Sequence, residues 1–61
     1  MAVLAKFNEN RTQVQLLERS GQFGTTRICH WCSNGNVLIG CQEFMVREII
    51  SEIEIRLTRV R

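Results

Sequence analysis

The chain contains no proline, no aspartate and no tyrosine, and only four of its 61 residues are glycine. Without proline or a glycine-rich stretch, no linker or low-complexity segment divides it, and residues 1–61 read as one small domain. Without aspartate, and with His30 as the lone histidine, the groups for acid–base or nucleophilic chemistry are scarce. An activated nucleophile needs a base and a group to orient it, and no phosphate-cradling glycine loop is present. The chain is therefore expected not to be an enzyme, and no cofactor is implied. No apolar run approaches the roughly 20 residues that span a bilayer. The start, Met1 to Phe7, is short for a signal peptide and soon meets Glu9 and Arg11, so a cytoplasmic protein is expected. Three cysteines agree with that, since an odd number cannot pair fully within one chain.

Hydrophobic residues make up 44% and charged residues 23%, an ordinary globular balance that argues against a disordered tail. A chain this short buries only about 60% of the surface exposed when unfolded, so its core is marginal alone. Net charge is +2, too mild to point to a polyanion by itself. Seven of the eight basic residues are arginine, whose planar fork suits carboxylates, phosphates and aromatic faces.

The strongest local signal is Asn34-Gly35, flanked by Arg27–Cys32 and Val37–Cys41. Asn-Gly tolerates positive φ at both central positions of a tight turn, and the flanks are rich in Ile, Val and Trp. A two-residue loop sets Cys32 opposite Val37, Trp31 opposite Leu38, His30 opposite Ile39 and Cys29 opposite Gly40. Trp31 can then lie diagonally over bare Gly40. Upstream, Thr12 to Leu16 alternates as a half-buried strand does, while Arg11 to Arg19 also holds good helix formers. A strand feeding the meander is the preferred reading, Ser20 to Gly24 reads as a turn or loop, and Ala2 to Phe7 can add a further short strand.

In the last third, Val46, Ile50, Ile53, Leu57 and Val60 recur at helical spacing, with Glu43/Arg47 and Glu52/Arg56 placed for i,i+4 pairing. A C-terminal amphipathic helix from about Gln42 follows. The competing pattern is Ile53, Ile55 and Leu57 alternating with Glu52, Glu54 and Arg56, which supports a helix to about Ile50 and then a strand. Both give an α+β domain, a small antiparallel meander packed on a helix.

Three constellations bear on function. The stripe Val46, Ile50, Ile53, Leu57, Val60, with Trp31, can overhang a small sheet and serve as an interface. The expected role is a small regulatory or inhibitory protein acting by protein–protein contact as a homodimer. Arg47, Arg56, Arg59 and Arg61 form an alternative, a basic end that meets nucleic-acid phosphates. Cys29, His30, Cys32 and Cys41 match zinc in number. Their spacing does not, because a strand turns Cys29 and Cys32 to opposite faces and sets Cys41 about 13 Å beyond the position opposite Cys32. A zinc-stapled module is the third alternative.

Overall fold

The computed structural model describes residues 2–61. Six strands follow one another: β1 Ala2–Phe7, β2 Gln13–Leu16, β3 Arg27–Trp31, β4 Val37–Ile39, β5 Gln42–Ile49 and β6 Glu54–Arg59. Each pairs antiparallel with the next, and β6 pairs with β1, closing the sheet into a barrel. The β1–β2, β3–β4 and β5–β6 turns lie at one end. The β2–β3 and β4–β5 connections, the start of β1 and the end of β6 lie at the other.

Period-two alternation builds the interior. Ala5 and Phe7 from β1, Val14 from β2, Cys29 from β3, Val37 and Ile39 from β4, Phe44 from β5, and Ile55 and Leu57 from β6 form the core, with Val3 and Leu16 packed against it. No polar or charged residue is buried there. A barrel this narrow is filled by its own side chains rather than hollow.

The expected α+β fold is corrected: the described residues contain no helix, and the segment assigned to one is the β5–β6 hairpin. Closure is the physical reason. Pairing β6 with β1 satisfies two strand edges at once and sets Leu57 against Val3 and Ile55 against Ala5. A helix could bury a stripe but would leave both edges open. The helical spacing of the apolar residues dissolves accordingly. Val46 and Leu57 are cross-strand neighbours, while Ile50 and Ile53 lie in the turn. The i,i+4 pairs are replaced by a cross-strand ion pair, Arg56 Nε to Glu48 Oε1 at 3.6 Å. The Thr12–Leu16 segment does form a strand, over Gln13–Leu16, and so does Ala2–Phe7.

The central hairpin exists, in a register one residue from that expected: Cys29 pairs with Ile39, His30 with Leu38 and Trp31 with Val37. The loop has three residues, not two. Cys32 N donates to Asn36 O at 2.8 Å, and Gly35 N donates to Cys32 O at 3.0 Å. Gly35 has φ of 89°, whereas Asn34 is not among the positive-φ residues. This is a turn followed by a glycine bulge, the usual three-residue hairpin loop. Asn34 Oδ1 accepts Asn36 N at 3.0 Å and holds it shut. The shift puts Cys29, Trp31, Val37 and Ile39 on the inner face. Trp31 consequently lies against Phe7, ring centroids 5.4 Å apart, and not over Gly40.

Candidate interaction surface

β4 has only three residues and pairs with β5 no further than Phe44. β5 continues to Ile49. From Met45 onward its edge toward β4 has no strand neighbour among the described residues, which leaves the backbone groups on that side available for pairing with another chain. On its other side β5 stays paired with β6, through a register shift between Val46 and Glu48. Arg47 is the extra residue of this bulge, which bends and twists the hairpin.

The overhanging hairpin exposes a group of large apolar side chains. Met45, Val46, Ile49, Ile50 and Ile53 are all exposed, Ile49 most at 64%. Ile49 ends β5 and Ile50 and Ile53 lie in the turn beyond it, past the reach of the barrel core. The tip is ordered by its own bonds. Ile50 N and Ser51 N donate to Glu54 O at 2.9 and 3.0 Å, and Glu54 N donates to Ser51 Oγ at 3.1 Å.

The β1–β2 loop fastens this tip to the barrel. Phe7 N donates to Ile53 O at 2.7 Å, and the Arg11 guanidinium donates to Glu52 O at 3.2 Å. Arg11 is itself held with φ of 59°. Its carbonyl accepts Trp31 Nε1–H at 2.9 Å and the Cys29 thiol at 3.3 Å. Asn8 shapes the loop, its Oδ1 accepting Thr12 N and Gln13 N at 2.8 and 2.9 Å. Trp31, 38% exposed, therefore belongs to the same end of the molecule as the tip.

Of the residues expected at an interface, Val46, Ile50, Ile53 and Trp31 are exposed at this end. Leu57 is fully buried in the core, and Val60 is half-buried beyond β6, its N–H donating to Glu43 O at the opposite mouth. Met45 and Ile49 belong to the surface and were missed by a helical reading, which puts them off the stripe.

The four arginines are not gathered. Arg47 lies at the bulge and Arg56 is engaged by Glu48. Arg59 pairs with Phe44 at the far mouth, and Arg61 follows it. The cysteines and His30 are likewise apart. Cys29 is buried, His30 is exposed on the outer face beside Leu38, Cys32 closes the β3–β4 loop, and Cys41 is exposed in the β4–β5 turn at the other end. Among the described residues no three metal-ligating side chains come together. Burial pushes the Cys29 thiol above its ordinary value, partly offset by a hydrogen bond. Among the described residues no helix is long and apolar enough to cross a membrane.

No protein-family model matches the chain, and neither a curated protein nor a solved structure does.

Proposed function

We propose that this chain is a small non-enzymatic regulatory or inhibitory protein that works by protein–protein contact through its β5–β6 hairpin, with a second copy of itself as the first partner. The observation that carries the reading is the overhang: five exposed large apolar side chains on a hairpin whose outer edge is unpaired. Covering them removes apolar surface from water at about 25 cal/mol per Å². Pairing the edge satisfies backbone donors and acceptors in the same step. The edge carries Arg47 and Glu48 side by side. A two-fold axis through it brings basic and acidic groups of the two copies together at its centre, a self-complementary arrangement. The core of nine buried residues among those described is small for an isolated domain, and association adds to it. A reduced, cytoplasmic setting suits the three unpaired thiols. His30, exposed on the outer face, fits a chain with no catalytic step.

The test is mass in solution across a dilution series, for the wild type and for Ile49→Glu. A dimer at tens of micromolar that Ile49→Glu converts to a folded monomer is the expected result. A wild type that stays monomeric at high micromolar concentration overturns the reading.

A further inference from the structure

The mouth of the barrel opposite the hairpin tip carries a second feature. The apolar lining, or floor, of a cleft of about 590 Å³ comes from Val3, Leu4, Leu17 and Phe44, and Arg19 and Arg59 also line it. We propose that this cleft binds a small amphipathic carboxylate, the carboxyl group held by the two guanidinium groups and the apolar body laid on the floor.

Backbone geometry places both arginines. Arg59 pairs with Phe44, whose side chain fills the interior. Paired residues share a face of the sheet, so Arg59 continues the inward-facing row of β6 beyond Leu57, where the barrel opens. Arg19 lies in the loop after β2. There Glu18 N donates to Gln22 O and Gly21 N donates to Glu18 O, both at 2.9 Å, with Gly21 at φ of 87°. This closed turn presents Arg19 at its shoulder. Just before it, Leu17 N donates to Leu4 O at 2.9 Å, and Leu17 bridges to Phe23, which anchors the floor residue Leu17 at the sheet's edge.

Among the described residues neither guanidinium has an ion-pair or hydrogen-bond partner. Among the described residues the one ion pair is Glu48–Arg56, and the one arginine side-chain hydrogen bond is from Arg11 to Glu52. Glu18 also lines the cleft. Its carboxylate lies against Gly24, where a Cβ on that glycine would stand, and so is turned toward the β2–β3 loop. With two arginines and one glutamate in its lining, the cleft is net positive. The volume lies in the range of small-molecule sites, which favour barrel mouths with apolar linings and a few convergent polar groups. Arginine forks match a carboxylate in two-point geometry. Phe44, the aromatic residue among those lining the cleft, is 4% exposed and offers little ring for base stacking, so a nucleotide fits less well than an aliphatic acid.

The probe is decanoate, kept below its micelle-forming concentration and titrated against the full chain by amide chemical-shift change. Decanol and acetate serve as the uncharged and headgroup-only controls. Saturable one-to-one binding with shifts around Leu17 and Arg59 is expected, with both controls weaker by about tenfold or more. Arg59→Gln and Arg19→Gln are each expected to weaken decanoate about tenfold while the amide spectrum stays folded. Arg56→Gln is the matched control and leaves the affinity unchanged. Ile49→Glu also leaves it unchanged, which separates this site from the hairpin surface. No saturation, equal binding of decanol, or indifference to both cleft substitutions overturns the proposal.

Discussion

Trp31 donates its indole N–H to the main-chain oxygen of Arg11 at 2.9 Å, across 20 residues of sequence. The bond joins the end of β3 to the β1–β2 loop, and the same loop holds the β5–β6 tip through Glu52. Replacing Trp31 with Phe keeps a ring against Phe7 but removes the donor. The expected cost is about 1 kcal/mol, the net worth of one hydrogen bond, measured by denaturant midpoint. No loss of stability in that variant would show that the bond merely accompanies the stacking.

Arg11 offers a second test at the same place. Its φ of 59° is left-handed, which a β-branched residue adopts only at a cost of about 1–3 kcal/mol. Arg11→Val is expected to destabilise by that order. Arg11→Gly relieves the backbone but loses the guanidinium bond to Glu52, and it is expected to fall much closer to the wild type. Equal effects of the two variants would contradict the backbone assignment.

Gly35 separates backbone conformation from space in the central hairpin. Nothing lies within 4 Å of a Cβ built on it, yet its φ is 89°. Gly35→Val is expected to cost about 1 kcal/mol or more, and Gly35→Asn clearly less, because asparagine visits the left-handed region more readily. Thermal melts of the two variants decide it, and a Val variant as stable as the wild type would refute the turn.

Leu57 and Ile53 share one stripe in a helical reading but have opposite fates in the barrel. Leu57 is 0% exposed and Ile53 37%. Leu57→Ala is expected to cost about 2–5 kcal/mol through lost burial and a cavity. Ile53→Ala is expected to cost far less in a monomer. Denaturant unfolding of both at low protein concentration checks the order, and comparable losses would contradict the division of Leu57 to the core and Ile53 to the surface.

Cys29 predicts a pH dependence. Its thiol is pushed above the ordinary value of 9.0, chiefly by burial. The unfolded chain therefore releases this proton before the folded one does. Stability from this group is full below pH 9.0 and is lost as pH rises from there through the folded pKa. Cys29→Ala is expected to flatten that alkaline decline. In the wild type, alkylation near pH 8 is expected to modify exposed Cys41 well before Cys29, read by peptide mass. First modification at Cys29 would show that the thiol is not enclosed.

Local chemistry was legible from residue order alone. Asn34-Gly35 between β-branched flanks marks a hairpin, Thr12 to Leu16 alternates, and the apolar residues that need cover past Val46 are visible in the chain. Three matters were settled only by the tertiary structure. The hairpin register depends on whether two or three residues close the loop, a choice made by which side chains the interior accepts: Cys29 and Trp31 with Val37 and Ile39. The C-terminal third carries both a helical and a strand period, and local propensity cannot choose between them. The choice falls to β1, more than 40 residues earlier, whose unpaired edge β6 completes through Ala2–Thr58 to Lys6–Glu54. The division of one apolar stripe into core (Leu57) and surface (Val46, Ile50, Ile53) follows from that closure. A closed sheet has an inside that holds only every second residue of each strand, and the hairpin that outruns its neighbour leaves the rest in water.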